Sequence, residues 1–283
     1  MRIVTWNIQW GRGADGVVNL ARTCDTLASL ASPELICLQE VAVNFAGLPG
    51  GPPEDGLARL AAAFPDYAAV YAPGLDVVDE AGTGRSRFGN LLLSRLPVLQ
   101  AFRHLLPWPA DPAVPSMQRA CAEAVVAAPG GPLRVLTTHL EYYSPAQRMA
   151  QVEALRRLQA EAAGHAHDLP GQDKAAAFAP RPRPVSAILC GDFNLEPKSP
   201  EYVRLGSPID SSTPHWTDAW AALHPGEAHA PSVGLHGAEW PDRAYCCDFF
   251  FVTSDLVQRL RKIRVEAETA ASDHQPVVLE VDA

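Results

Sequence analysis

The ten residues Val185 to Asn194, VSAILCGDFN, set the first limit on what this chain can fold into. Val185, Ala187, Ile188, Leu189 and Cys190 make a short apolar run between Pro184 and Gly191. It is too short for a core helix and apolar on successive positions, so it reads as a strand with both faces covered. Gly191 permits a tight turn where a side chain would clash, and Asp192 and Asn194 then emerge where the strand leaves the core. Such an ending is either a solvated turn or an arm that presents chemistry, and the rest of the chain decides between them.

Composition narrows the setting. A chain of 283 residues, 47% hydrophobic and 19% charged, can bury a large core, and a single layered domain over residues 1–283 is the expectation. The net charge of −9 and pI near 5.4 argue against a protein that coats nucleic acid, because that affinity comes from Lys and Arg on phosphates. A local basic pocket remains compatible with that balance. The sequence opens directly on a strand-like pattern, MRIVTWNI, and no run approaches the ~18 apolar residues of a membrane span, so a soluble cytoplasmic protein is expected. Cys37 and Cys190 fall in apolar strands, Cys246 and Cys247 are neighbours with poor geometry for an ordinary disulfide, and no C-x-x-C pattern occurs, so the six cysteines are expected to be free thiols.

Along the chain, Arg2 to Ile8 reads as a strand, Asp15 to Ala31 as a helix and Glu34 to Glu40 as a second apolar strand ending in a carboxylate. Gly47 to Gly56 is a loop and Leu57 to Phe64 a short helix. Tyr67 to Tyr71 precedes Pro73 to Ser86, which is Gly- and acid-rich and expected to be a mobile loop. Phe88 to Ser94 and Pro97 to Phe102 read as a strand pair, and Pro107 to Pro115, with four prolines, as irregular. Arg119 to Ala127 and Leu133 to Leu140 read as a hairpin. Ser144 and Gln147 suggest a capping box, Pro145 suits the first helical position, and Met149, Val152, Leu155 and Leu158 recur every three residues, so a helix should run to about Ala163. Gly164 to Pro184 reads as a long surface insertion and His224 to Arg243 as a long polar loop. Pro200 to Leu205 and Thr217 to Leu223 suit short helices, and strands at Tyr245 to Thr253, Lys262 to Glu266 and Pro276 to Val281 finish the chain. Strands outnumber helices from end to end, which favours two packed sheets with helices on their outer faces; an alternating open α/β sheet is the alternative, weakened by the central hairpins.

Chemistry collects at the strand ends. Asn7, Glu40, His139, the Asp192/Asn194 pair and Asp273/His274 all sit at such positions, and Asp248 interrupts the apolar YCCDFFFV. One buried Asp or His is ordinarily a satisfied core group. Six such groups without partners or a metal would each cost several kcal/mol, about the price of an unpaired buried polar atom.

The order of the pieces TWNIQ, LQE, HLE, GDFN and SDHQP resembles the endonuclease/exonuclease/phosphatase family, and the resemblance runs from Asn7 to His274. It implies a DNase I-like α/β (α+β) fold: a four-layered sandwich of two mainly antiparallel sheets flanked by helices, with the site at one rim. It also implies a divalent-metal-dependent hydrolase of phosphate esters, most simply a phosphodiesterase, with Mg²⁺ or Mn²⁺ as cofactor. By the same resemblance Glu40 matches a metal-ligating glutamate, Asn7 the asparagine that positions metal and catalytic groups, and Asp273 the acid that completes the metal's surroundings. Asp192 matches the aspartate that orients or deprotonates the attacking water, and Asn194 the amide that holds a phosphate oxygen or that aspartate. His274 matches the histidine on the scissile phosphate, Asp248 its partner carboxylate, and His139 a phosphate-contacting position where the base-excision branch has tyrosine. Arg119 and Arg148 are weaker candidates for phosphate contact.

The same reading has an independent chemical basis, because phosphodiester hydrolysis needs an activated water, charge neutralisation at the phosphoryl oxygens and help for the leaving oxygen. Gln9 stands where base-excision nucleases carry an acid, and no Lys/Arg cluster marks a duplex-binding surface. The substrate is therefore left open among nucleic acid, phospholipid and small phosphate ester. Phosphomonoesterase activity on the same fold and a catalytically silent binding protein are the alternatives. The scattered His165, His167, His224, His229 and His236 lack ligand-type spacing and read as loop residues.

Overall fold

The computed structural model describes residues 1–167, 176–179, 181, 183–237 and 241–282. The chain lays down four strands of one sheet, β1 (Arg2–Asn7), β2 (Leu35–Val43), β3 (Ala68–Val78) and β4 (Arg85–Ser94). It then crosses to build a second sheet from β5 (Val98–Leu105), β6 (Ala120–Ala128), β7 (Gly131–His139), β8 (Ala187–Asp192), β9 (Trp216–Asp218) and β10 (Asp248–Thr253). Finally it returns to the first with β11 (Leu260–Val265) and β12 (Val277–Val281). Among the described residues the sheets have six strands each, in the orders β11-β12-β1-β2-β4-β3 and β5-β6-β7-β8-β10-β9. Among the described residues only β1–β2 and β7–β8 run parallel. Both sheets are therefore mainly antiparallel, and the expected two-sheet sandwich is what forms.

The layering follows from which residues alternate inward. Ile3, Cys37 and Leu92 of the first sheet meet Val135, Ile188, Cys190 and Phe250 of the second in the central core. The opposite face of the first sheet, with Trp6, Leu38 and Leu91, packs under α1 (Leu20–Ser29) and α2 (Gly56–Ala63) through Leu20, Leu27 and Leu60. The opposite face of the second, with Leu136, Leu189 and Phe251, packs under α3 (Pro145–His167) and α4 (Pro200–Gly206) through Val152, Leu155 and Leu205. Burial removes roughly 1.5–3 kcal/mol of unfavourable hydration per large apolar side chain. Strand β8 supplies both cores, Ile188 and Cys190 inward and Leu189 outward, which is why its run is apolar at every step.

Several local expectations are corrected. Pro73 to Ser86 is mostly the β3–β4 hairpin and not a loop: Asp76 pairs with Arg85 at 2.8 Å, Asp79 closes the turn, and a register shift between Pro73 and Leu75 absorbs the proline. β4 and β5 do not pair; β4 is apolar on both faces and takes an interior place beside β2, while β5 alternates in burial and forms an edge of the other sheet. Helix α1 begins at Leu20, where Asn19 caps the Arg22 N–H, because Arg12 to Val18 forms its own turn.

The Ser144 hydroxyl caps α3 as expected, but the Gln147 side chain turns to the Pro109 carbonyl, and the helix runs a turn past Ala163. Thr217 to Leu223 divides into β9 and α5 (Ala219–Leu223), with Asp218 capping. β10 starts at Asp248 and not Tyr245. Gly164 to His167 belongs to α3, whereas residues 168–175, 180 and 182 of the expected insertion, and 238–240 of the expected polar loop, lie outside the described residues. All six cysteines are free. Among the described residues no helix is long and apolar enough to cross a membrane.

Candidate active site

The two parallel strand pairs end side by side, and their registers assemble the polar residues. β1–β2 pairing sets Asn7 opposite Gln39, one residue before Glu40. In the second sheet Asp192 lies opposite His139 on one side and Asp248 on the other. Glu40 has φ +58 at the register shift between Leu38 and Val41, a bulge that turns its carboxylate toward the other sheet. Gly191 has φ +140, and a Cβ there would stand 1.9 Å from the Thr138 carbonyl oxygen. Glycine is what lets β8 lie close enough to β7 for Asp192 to reach His139.

Asp192 sits at the centre. Its Oδ2 accepts from Asn7 Nδ2 at 3.0 Å and lies 3.4 Å from His139 Nε2 and 3.7 Å from His274 Nε2. Its Oδ1 accepts the Asn194 backbone N–H at 2.9 Å. Asn7 Nδ2 also donates to Glu40 Oε1 at 3.1 Å, while Asn7 Oδ1 takes the Gln9 N–H at 3.0 Å. Asn194 Nδ2 donates to the Leu140 carbonyl and to His139 Nε2, both at 2.9 Å. The carbonyl can only accept, so it fixes the amide orientation, and His139 Nε2 must then be the acceptor. The proton of neutral His139 therefore resides on Nδ1, 3.8 Å from Glu40 Oε1.

The two histidines are driven apart in charge. Burial, aided by Arg119, pushes His139 down to about 3 despite the nearby Asp192, so its ring is neutral. Burial also disfavours a charged His274, but the Asp248 carboxylate, 2.8 Å from Nδ1, and then Cys247, Asp192 and Asp273 outweigh it and hold the ring well above its ordinary range. Asp248 Oδ2 takes a second bond from the Ser232 hydroxyl at 2.6 Å. Glu40 is pushed up to about 7 by burial and then by Asp273, with Asp192 adding to it and Asn7 and His274 opposing. Asp273 accepts from Gln9 Nε2 at 2.9 Å and from Ser272 Oγ at 3.1 Å.

The structure thus brings together Asn7, Glu40, His139, Asp192, Asn194, Asp248, Asp273 and His274, with Arg119 beside them. Arg119 is buried, and Glu141 holds its Nε at 3.3 Å. Arg148 stands apart: it bonds Glu201 and the Glu141 and Tyr142 carbonyls, and it lines an adjoining cavity. The sequence pattern assigns no role to Gln9, whose backbone N–H bonds Asn7 and whose side-chain amide bonds Asp273, or to the wall of the cavity at this cluster. That cavity, about 450 Å³, is lined by Trp10, Phe88, Met117, Tyr142 and Tyr143 as well as the polar cluster. The adjacent tyrosines after HLE were the available signal.

The Endonuclease/Exonuclease/phosphatase family model matches residues 4–274. The chain belongs to this family. Its members are hydrolases of phosphate esters and generally use divalent metals. No curated protein matches the chain in sequence. Among solved structures, a family member from Bacteroides vulgatus is 19% identical with a TM-score of 0.68, covering 99% of this chain and 98% of that one. The mannosyl-6-phosphatase Bt3783 of Bacteroides thetaiotaomicron VPI-5482 is 14% identical with a TM-score of 0.65, covering 99% of both chains. The 3'-5' exonuclease of Neisseria meningitidis is 20% identical with a TM-score of 0.63, covering both chains fully. At these identities the likeness establishes the DNase I-like fold alone.

The donor set suits a hard divalent cation. Glu40, Asp192, Asp248 and Asp273 converge where His274 is the charged imidazole and Arg119 is matched by Glu141. Burial, and after it the Asp273 and Asp192 carboxylates, raise the Glu40 carboxyl, and a cation there would offset both. Glu40 and Asp273 offer oxygen, the donor that Mg²⁺ and Mn²⁺ take.

Proposed function

We infer that this family member is a divalent-metal-dependent phosphodiesterase in which Asp192 activates the attacking water. The observation that carries the reading is the surround of Asp192 Oδ2, which faces Asn7 at 3.0 Å, His139 at 3.4 Å and His274 at 3.7 Å from two different sheets. A carboxylate so encircled is held in one orientation while keeping a lone pair for a water proton. Asn7 and the Asn194 N–H fix its plane. His274, protonated through Asp248, presents Nε2–H to a phosphoryl oxygen, and neutral His139 presents Nδ1–H on the Glu40 side. A divalent cation held by Glu40 and Asp273 would neutralise developing charge on the phosphoryl and leaving oxygens.

Charge and wall together favour a diester. A phosphomonoester brings a second negative charge into a cluster already rich in carboxylates, whereas a diester brings one charge and two organic groups for the Trp10, Phe88, Tyr142 and Tyr143 wall. The free thiols fit a reducing, cytoplasmic compartment. The test is hydrolysis of bis-p-nitrophenyl phosphate against p-nitrophenyl phosphate with Mg²⁺, with Mn²⁺ and with chelator. Diester turnover that requires metal and exceeds monoester turnover is expected, with Asp192→Asn inactive. Preferred hydrolysis of the monoester would move the assignment to a phosphomonoesterase, and full activity in Asp192→Asn would remove the role given to that residue.

A further inference from the structure

Behind His274, on the side away from the cavity, three different ligand types converge. Cys247 Sγ lies 3.5 Å from Asp248 Oδ2 and 3.9 Å from His274 Nδ1, and those two atoms are 2.8 Å apart. Relative exposures of 1%, 3% and 5% for Cys247, Asp248 and His274 put the cluster out of solvent. A tetrahedral cation with bonds of roughly 2.0–2.3 Å spaces its ligand atoms about 3.3–3.6 Å apart. The two sulfur edges are already near that spacing, and the nitrogen–oxygen edge needs to open by about half an ångström. A second observation is independent of the spacing: among the described residues Asp248 Oδ1 is buried with no hydrogen-bond partner, so the carboxylate that meets Cys247 and His274 through Oδ2 carries a further, unused ligand atom.

We propose that Cys247, Asp248 and His274 form an inhibitory site for a soft or borderline divalent cation of the Zn²⁺ class, separate from the oxygen-donor site at Glu40 and Asp273. The donor chemistry sorts the cations. Thiolate with imidazole selects Zn²⁺ and its neighbours, while Mg²⁺ keeps to carboxylate and water. On binding, bonds form from the cation to Sγ, Nδ1 and Oδ2, and the Sγ–H and Nδ1–H protons leave to solvent with no change in oxidation state. The hydrogen bond from His274 to Asp248 is lost in the same event. His274 is then anchored through Nδ1 to the cation instead of to Asp248, which shifts the ring whose Nε2 lies 3.7 Å from Asp192 Oδ2 in the site. Among the described residues Cys246, one residue away, has no such convergence; its Sγ meets the Asp248 backbone oxygen at 3.5 Å.

The effect on turnover rests on the phosphodiesterase reading, whereas binding does not, so binding is measured first. Co²⁺ is titrated into the reduced full-length protein in excess Mg²⁺, following the thiolate-to-cobalt charge-transfer band and the visible bands of tetrahedral coordination. One equivalent with both signatures is expected, retained in Cys246→Ala and absent in Cys247→Ala and Cys247→Ser, each first checked for native circular dichroism. Loss of the cobalt bands on adding one equivalent of Zn²⁺ to the unsubstituted protein gives a readout that needs no variant. No band, an equal band in Cys247→Ala, or no displacement by Zn²⁺ would overturn the site. Zn²⁺ should then inhibit bis-p-nitrophenyl phosphate hydrolysis, with the half-inhibiting concentration at least tenfold higher in Cys247→Ala. A thiolate band without such inhibition would overturn the inhibitory role, and absence of any phosphoesterase activity would fail the functional reading while leaving the binding result standing.

Discussion

Asn7 at the end of the first sheet donates its side-chain amide to Asp192 at the end of the second, 3.0 Å away and 185 positions along the chain. The same nitrogen donates to Glu40 at 3.1 Å, so one amide couples the carboxylate given to the metal with the carboxylate given to the water. Neither acid can turn without breaking a bond to Asn7, and the distance between their roles is set by the packing of two sheets.

Replacing this amide should therefore damage chemistry more than folding. Asn7→Ala is expected to lower kcat on bis-p-nitrophenyl phosphate by about 10²-fold, the scale of losing one preorganised donor. Circular dichroism should be unchanged and Tm lowered by a few degrees. Asn7→Asp should be worse, because it adds a carboxylate to a cluster that already raises Glu40. An Asn7→Ala enzyme within threefold of the parent would remove Asn7 from the catalytic set.

The Glu40 carboxyl gives a pH signature. With its folded value raised to about 7 from an ordinary 4.5, Glu40 binds a proton more tightly in the folded protein. Its contribution to the stability of the metal-free protein is therefore fully present below 4.5 and is lost as pH rises through about 7. A cation at Glu40 must displace that proton, so the half-saturating Mg²⁺ concentration should rise about tenfold per pH unit below pH 7. Glu40→Gln should bind Mg²⁺ weakly and without this slope. Calorimetric titration from pH 5.5 to 8 is the check, and a flat affinity in the parent protein would contradict it.

The sequence carried the residue set further than the architecture around it. Strands covered on both faces, β2, β8 and β10, announce themselves by apolar runs, and the polar residue bordering each run, Glu40, Asp192 and Asp248, is legible for the same reason. Pairing is not, because β4 and β5 look alike as neighbours in sequence, and only competition for an interior place separates them. The β3–β4 hairpin was hidden by Pro73 and Gly74, which read as loop signals until a bulge accommodates them. In the site, Gln9 read as a missing acid, yet it bonds Asp273, 264 positions away. Arg119 and Arg148 read as weaker candidates for phosphate contact, and only folding shows Glu141 and Glu201 holding them.

A structural counterpart lies under α3, where Glu123 is held by Arg134 at 2.8 Å, His104 at 2.8 Å and Arg183 at 3.5 Å. Burial alone would raise its carboxyl, but His104, Arg134 and Arg183 lower it from 4.5 to about 2. A depressed carboxylate stabilises above its unfolded value and loses that contribution as pH falls from 4.5 through about 2. The difference corresponds to about 3 kcal/mol at neutral pH. Glu123→Gln should lose about that much in urea unfolding at pH 7, partly by leaving Arg134 buried without its counter-charge, and far less at pH 3. An equal loss at both pH values would show that packing, and not charge, carries the effect.

Gly191 is the sharpest test of how the fold builds the site. An alanine Cβ would stand 1.9 Å from the Thr138 oxygen at a φ of +140 that side chains avoid, and the atoms it meets are backbone, which cannot swing aside. Gly191→Ala must push β8 away from β7, and His139 and Asp192 are opposite partners in that very ladder. A destabilisation of at least about 2 kcal/mol is expected from strain alone. Because a misplacement near 1 Å can cost about 10² in rate, activity should fall by about that factor in whatever fraction remains folded. Denaturant unfolding and turnover per folded molecule separate the two effects. If Gly191→Ala were as active per folded molecule as the parent, the close approach of β7 and β8 would be a packing detail with no bearing on where Asp192 points.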